Sequence, residues 1–482
     1  MQVVWLKRDL RLHDHLPLTA AVSEGGPLLI LYVMEPAVWQ AGDLSVRHAV
    51  FVKEGLEELQ TAVRKGGGEL FTAAAAIEEV LEALYHTCGS FTLFTYEEFG
   101  PPHVYEQTKK VREWMKKHQL LFKEFSHYGF APGSLQSKHF EAAWEEKINM
   151  PPMKEVLSFP APPETLPQLL TRNIAALDKL SLPGERIRYG QQGGESSALE
   201  TLHSFLEERF LKYEKHLLEP LASSTFSSRL SAYISWGNIS LRTVYQAAME
   251  VINSRETEEE KRPLEAFLTR LYWNSYAVQA FKQNRQAAFF PQSAAYESTR
   301  RSWNEEEYNH WLQGTTGIPM IDASMRCLRR TGWINYPARA MLVSFVTNTL
   351  RLDWKKPAHD LAKLLLDYEP GIHYSQIHQH ACTSLQTIRF QDPVRQGKKH
   401  DPEGRFIRRY IEELKAVPQA YIHEPWRDPH FFYSSYPGPM TDIRKSNQQA
   451  KKIYLDAGNG SKQKKSSSRE EEQLSLFDER ED

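Results

Sequence analysis

Leu28-Leu29-Ile30-Leu31-Tyr32-Val33-Met34 is an apolar run without a polar break. A strand that is apolar on both faces must be covered on both, which calls for a parallel sheet with helices on either side. The flanking sequence agrees. Val3 to Leu6, Leu70 to Thr72, Phe91 to Thr95 and Leu120 to Phe125 read as further short strands. Between them, Ser45 is placed to cap a helix carrying Phe51, Leu56, Leu59 and Val63 at helical spacing, and Gly66-Gly67-Gly68 ends it. Ile77 to Tyr85 (with Ile77, Val80, Leu81 and Leu84 on one stripe) and Val104 to Lys117 are the next helices. Strand–helix alternation over residues 1–128 predicts a doubly wound α/β domain. Lys7-Arg8-Asp9-Leu10-Arg11 follows the first strand in place of Gly-x-Gly-x-x-Gly, so the usual dinucleotide site is not expected there.

Residues 129–194 are a proline-rich connector, with short helices expected at Phe140 to Lys147 and Leu166 to Leu180. From 195 to 455 the pattern is helical. Leu199, Leu202, Phe205, Leu206, Phe210 and Leu211 mark one helix; others are expected at Pro263 to Lys282, Ile318 to Arg330, Ala338 to Leu352 and His359 to Asp367. Residues 456–482 are rich in lysine, serine and glutamate and read as a disordered tail. The 482 residues include 59 lysines and arginines against 61 aspartates and glutamates, a net charge of −2. That excludes a globally basic nucleic-acid coat and leaves room for a local basic groove. Three scattered cysteines, Cys88, Cys327 and Cys382, exclude a disulfide framework and a four-thiolate zinc or iron–sulfur centre. No membrane span or signal peptide is read, and a cytoplasmic protein is expected.

Trp5-Leu6-Lys7-Arg8-Asp9-Leu10-Arg11-Leu12-His13-Asp14 resembles the opening of the DNA photolyase/cryptochrome family. Four further blocks agree in the family's order: Ser227-Ser228-Arg229-Leu230-Ser231, Thr316 to Ala323, Asp353-Trp354 and Asp401 to Arg408. Together they span nearly the whole chain up to Trp426. Asp367-Tyr368-Glu369-Pro370-Gly371-Ile372-His373-Tyr374 resembles the signature of one bacterial branch, and the cysteine count sets the chain apart from the iron–sulfur branch. The resemblance implies a Rossmann-like amino-terminal domain and a carboxy-terminal all-helical FAD-binding domain. It also implies a light-dependent carbon–carbon lyase that splits pyrimidine dimers in DNA by electron transfer from excited reduced flavin.

By motif position the resemblance assigns Tyr213, Ser227, Ser228, Arg229, Leu230, Ser231, Phe267, Arg339, Asp367, Tyr368, Glu369 and His373 to FAD. The chemistry is apt, since hydroxyls and a guanidinium suit a pyrophosphate and a buried Arg–Asp pair suits a polar flavin edge. Electron relay falls to Trp303 (outer) and Trp354 (middle). The family's inner tryptophan position holds Ile377, with Tyr374, Tyr368 or Trp333 as substitutes. The asparagine that usually faces the flavin falls at His373, whose titration would make the chemistry pH-sensitive. His378 and His380 are read as hydrogen-bonding residues, and no metal is expected.

The lesion side is assigned to Arg270, Trp273, Tyr336 and Met341, and Gln396 to DNA. Arg270 stands where the family has an acid, and Tyr336-Pro337 where it has an asparagine–arginine pair. A basic patch, Arg389, Arg395, Lys398, Lys399, Arg405, Arg408 and Arg409, offers phosphate contacts. The resemblance allows an antenna chromophore of unassigned identity in the amino-terminal domain; the position of the glutamate that binds folate in some members falls near Gly100, so folate is not assigned. In the tail, Gln473-Leu474-Ser475-Leu476-Phe477 resembles the peptide by which bacterial repair proteins dock on the replicative sliding clamp; Gln473, Leu474, Leu476 and Phe477 would be the anchors. The rival readings are a cryptochrome-like photoreceptor without repair and a (6-4) photolyase. A monomer is expected.

Overall fold

The computed structural model describes residues 1–126, 137–385 and 388–462. Strands β1 (Gln2–Leu6), β2 (Leu28–Val33), β3 (Leu70–Ala73), β4 (Thr92–Tyr96) and β5 (Leu121–Phe125) form one parallel sheet in the order β3-β2-β1-β4-β5. Val4 pairs with Ile30 on one side and Phe94 on the other. The apolar run divides by alternation. Leu28, Ile30 and Tyr32 join Phe51, Val52, Leu56 and Leu59 in one core, while Leu29, Leu31 and Val33 join Val80, Leu81, Leu84 and Val111 in another. The sheet order reverses between β1 and β4, and the crevice at their carboxyl ends is where open α/β sheets bind ligands.

Ser45 caps the helix Val46–Lys65 as its position implied, in a reciprocal box with His48, and Gly66 ends it. A helix not foreseen, Leu16–Glu24, follows β1; His15 Nδ1 accepts the Leu18 amide at 3.1 Å to start it. In the connector, the helix Ser137–Ile148 forms, but the expected helix at 166–180 is reduced to the 3₁₀ turn Ile174–Lys179. Proline at 167 removes a donor at the start of that stretch, and Thr171 pairs with Thr72 of β3 instead.

The helices between 195 and 271 share an apolar core with the sheet, whereas residues from Phe281 to Tyr454 build a second core. The seam between domains is polar and tightly fitted. Arg11 Nη1 donates to the Gly237 carbonyl at 3.0 Å, and Arg47 and His48 each donate to carbonyls of the Leu364–Leu365 turn at 2.8 Å. Gly237 has φ of +71°, and a Cβ there would lie 2.1 Å from the Arg8 carbonyl oxygen.

Two helices end differently from expectation. The helix expected over 338–352 is α-helical only over Tyr336–Ser344 and then widens into a π turn, Phe345–Thr349. The bulge brings Asn348 Nδ2 to the His380 carbonyl at 2.7 Å. The last helix, Ile443–Lys462, crosses the expected boundary at 455, so residues 456–462 are helical rather than tail. Buried Ala450 and Tyr454 anchor it, and a helix once nucleated extends cheaply into polar residues. Among the described residues no helix is long and apolar enough to cross a membrane.

Candidate functional site

The helix Tyr336–Ser344 and the turn before Pro370–His380 bring Arg339 and Asp367 together, with Arg339 Nη2 2.7 Å from Asp367 Oδ2. Arg339 Nε donates to the Ile334 carbonyl at 3.0 Å, which fixes the guanidinium. Burial alone would push the Asp367 carboxyl up. The Arg339 charge and hydrogen bond outweigh it, with help from the Ser231 hydroxyl and Arg229, and hold the group below the usual carboxylate range. Its Oδ1 is buried with no hydrogen-bond partner among the described residues.

The neighbouring segments carry more such atoms. Ser227 Oγ, Arg229 Nη1 and Asn335 Oδ1 are likewise buried and unpartnered among the described residues. Arg229 sits at φ of +61°, its guanidinium 4.0 Å from the Trp333 ring centroid, and desolvation lowers its pKa to about 10. Ser228 Oγ accepts the Leu230 amide at 3.4 Å, Leu230 is fully buried, and Ser231 opens a short helix. Tyr213 is buried edge-on to Phe205 and Phe267. Four unpaired polar atoms, one on a buried ion pair and three on neighbouring segments, are a costly arrangement for a purely structural core. They are what a polyphosphate and a heteroaromatic edge require, so the residues present fit FAD. Asn335 was not among the sequence candidates; only its neighbour Tyr336 was singled out.

Tyr368 and Glu369, assigned to FAD by motif position, are tied to the amino-terminal domain. The Tyr368 hydroxyl donates to Asp43 Oδ2 at 2.9 Å and its carbonyl accepts Arg8 Nη1 at 2.9 Å. Glu369 accepts the Gly371 amide at 3.2 Å and lies 3.5 Å from Arg8; burial raises its pKa to about 7. His373 also departs from expectation. Its Nε2 donates to the Ala358 carbonyl at 2.9 Å, and burial lowers its pKa to about 3. It is neutral at physiological pH, so it offers a fixed Nδ1 acceptor rather than a titrating charge. With His380 and Ile377 it lines a cavity of about 10 Å³ beside Arg339.

His378 and His380 hydrogen-bond as read: His378 to Thr383 Oγ1 at 2.8 Å and the Ala287 carbonyl at 2.7 Å, His380 to the Tyr336 hydroxyl at 3.0 Å. Trp354 is fully buried, 4.8 Å from the His378 ring and 6.5 Å from Tyr374. Tyr374 stacks on Phe281 at 5.7 Å. Trp303 is 38 % exposed, its Nε1 2.6 Å from Glu305.

Of the residues assigned to the lesion, Arg270 Nη1 donates to its own helix at the Ala266 carbonyl, 2.9 Å, and its guanidinium lies 5.6 Å from the Tyr213 ring. Trp273 meets Tyr272 and Tyr276 edge-on. Tyr336 reaches Gln379 Oε1 at 3.4 Å. Met341 is buried in the second core and cannot line an open surface as assigned, because its helix turns that position inward. Gln396 Nε2 donates to Gln391 at 3.2 Å. In the basic patch, Lys398 and Arg405 have carboxylate partners, Glu424 and Glu403, and Arg408 caps carbonyls. The Gln473, Leu474, Leu476 and Phe477 peptide lies outside the described residues.

Two other cavities border the amino-terminal domain. One, about 70 Å³, lies at the carboxyl ends of β1 and β2, lined by Tyr32, Glu35, Trp39, Asp43, His103 and Trp236. Trp39 and Trp236 stack there at 5.9 Å, and burial raises the Glu35 pKa to about 8. The second, about 210 Å³, opens on the domain seam beside Lys7, Arg11, Trp144 and Arg242.

Two families match this architecture. The one described as DNA photolyase covers residues 2–144, and the one described as FAD binding domain of DNA photolyase covers residues 267–456. A deoxyribodipyrimidine photo-lyase of Vibrio cholerae is 26 % identical over 95 % of this chain and 100 % of its own length. Cryptochrome-2 of Gallus gallus is 25 % identical over 94 % of this chain and 83 % of its own. The crystal structure of a bacterial class III photolyase from Agrobacterium tumefaciens superposes with a TM-score of 0.83 at 24 % identity, covering 95 % of this chain and 98 % of that one. Sheet, helical half and charged pair thus converge, and the chain belongs to the DNA photolyase/cryptochrome family.

Proposed function

We propose that this protein is a light-dependent DNA-repair flavoenzyme, a deoxyribodipyrimidine photo-lyase acting on cyclobutane pyrimidine dimers. The observation that carries the reading is the buried Arg339–Asp367 pair with its unpartnered Oδ1, together with the unpaired Ser227, Arg229 and Asn335 atoms of neighbouring segments. FAD held there would supply, when reduced and excited by light, the electron that splits the dimer. The protein's own part is electrostatic and positional. Arg229 and the serines hold the phosphates, and Asp367, kept ionised by Arg339, orients the heteroaromatic edge. His373, neutral with Nε2–H committed to Ala358, has only Nδ1, an acceptor, to offer the cofactor. Trp354, Tyr374 and Trp303 supply electrons to reduce the cofactor. Arg270, Trp273 and Tyr336 meet the flipped-out lesion, and Gln396 with the basic patch meets the backbone.

An antenna chromophore belongs at the 70 Å³ cavity, at the carboxyl ends of β1 and β2. The 473–477 peptide docks on the replicative sliding clamp, and the protein acts as a cytoplasmic monomer. One observation favours a cryptochrome-like photoreceptor instead: Arg270, in the family's acid position, spends a hydrogen bond on its own helix. Photoreduced protein given thymine-dimer and (6-4) oligonucleotides under blue light decides among the readings. Restoration of the dimer supports the proposal, restoration of the (6-4) product alone reassigns the substrate, and failure on both with reducible FAD bound establishes the photoreceptor. Arg270→Ala should weaken damaged-DNA binding about tenfold. Leu476→Ala with Phe477→Ala should abolish clamp pull-down.

A further inference from the structure

At the outer end of the relay, Trp303 makes a ring contact with Tyr308, at 4.8 Å between centroids. Tyr308 is fully buried, and its hydroxyl donates to Asp360 Oδ2 across two helices, Glu305–Gln313 and Lys355–Leu364. The other carboxylate oxygen of Asp360 accepts Lys363 Nζ at 2.8 Å. Burial and the carboxylate together push the phenol far above its ordinary range, so Tyr308 rests protonated and neutral. Such a ring gives up an electron readily only when its proton has somewhere to go, and here the acceptor is already in hydrogen-bond contact.

We propose that Tyr308 is the terminal electron donor of the relay, with Asp360 as its proton acceptor. The step rests on the reading that the photoexcited oxidised flavin draws electrons through Trp354 and Trp303. The Trp303 radical cation takes one electron from Tyr308, the phenolic O–H bond breaks, and the proton passes to Asp360 Oδ2. The products are neutral Trp303, a neutral tyrosyl radical and a protonated Asp360. A cation and a carboxylate are replaced by neutral groups, and the fully buried Tyr308 ring is left as a neutral radical and not a charged one. Lys356 adds to the drive. Its Nζ lies 5.2 Å from the Trp303 ring and 4.5 Å from Tyr308, and a cation there disfavours positive charge on either ring. A bridge that merely joined two helices would not need a partly exposed indole in ring contact beside it.

The test is one-electron oxidation of the full-length protein by azidyl radicals in pulse radiolysis. These attack indoles and need neither flavin nor light. In the wild type, part of the indolyl absorbance should convert to tyrosyl absorbance in a first-order phase independent of protein concentration. Tyr308→Phe and Trp303→Phe should each remove that phase with far-UV circular dichroism unchanged. Asp360→Asn should slow it about 100-fold, and deuterated solvent should slow it in the wild type. Retention of the phase in Tyr308→Phe would overturn the proposal. Flash photolysis of the FAD-loaded protein tests the relay separately. A missing tryptophanyl signal there, with the radiolytic phase intact, would sink the relay reading and leave the Tyr308–Asp360 step standing. A missing radiolytic phase with normal photoreduction would sink Tyr308 alone.

Discussion

Asp14 and Asp367 are both buried, and their environments hold both ionised, yet they are furnished in opposite ways. Asp14 bridges the domains with every oxygen engaged. Oδ1 accepts the Met153 amide at 3.0 Å, Oδ2 accepts the Ser240 hydroxyl at 2.6 Å, and Arg242 clasps both oxygens. Asp367 spends Oδ2 on Arg339 and leaves Oδ1 unpaired among the described residues. A carboxylate placed for stability is saturated by the protein, whereas one placed for a ligand keeps an atom back, at a cost in the free protein that binding relieves. The same contrast separates two buried histidines. His48 uses both nitrogens, taking the Ser45 amide and donating across the seam to the Leu365 carbonyl, while His373 bonds to the protein through Nε2 among the described residues.

The comparison can be broken by substitution. Asp14→Ala strands Arg242 beside a buried void and should cost about 3–5 kcal/mol in denaturant unfolding. A cost near that of a surface change would remove Asp14 from the seam. Acidification comes next. His48 and His373 each fold with a pKa of about 3 against an ordinary value of 6.5. The unfolded chain therefore binds protons that the folded chain refuses. Stability is whole above pH 6.5 and should fall as pH drops toward 3, by about 1.4 kcal/mol per pH unit for each histidine. Unfolding titrations in wild type and His48→Gln should differ by one such share; equal slopes would mean that His48 titrates normally in the fold. The two aspartates, with lowered pKa values, add their own loss only below their ordinary range near 3.8. The smallest effect is Asp367→Asn in the flavin-free protein, which should change unfolding by no more than about 1 kcal/mol, because the amide oxygen can still accept from Arg339. A loss as large as that of Asp14→Ala would make the two carboxylates alike and erase the distinction.

The sheet was readable because parallel strands must be apolar on both faces, and residues 28–34 are. The helix Leu16–Glu24 was not, because its buried face is only Pro17, Leu18 and Ala21, too little to mark a stripe. The tail boundary at 455 was misplaced because composition registers charge and not the anchoring of Tyr454, whose hydroxyl meets Asn348 Oδ1 at 2.7 Å. At the site, family motifs pointed to Arg339 and Asp367, which the fold pairs, but no motif shows that Tyr368 and Glu369 bond to Asp43 and Arg8. The neutrality of His373 depends on burial that no local pattern encodes. The Tyr308–Asp360 bond joins residues 52 apart in sequence, with no motif between them.

The most direct test of the Asp367 assignment is a titration of FAD into the flavin-free protein and its Asp367→Asn variant, followed by quenching of flavin fluorescence. The wild type should bind one FAD per chain and the variant at least about tenfold more weakly, a loss of roughly 1.4 kcal/mol. Equal affinities in the two proteins would contradict the account, since the unpaired Asp367 oxygen would then have no ligand to meet.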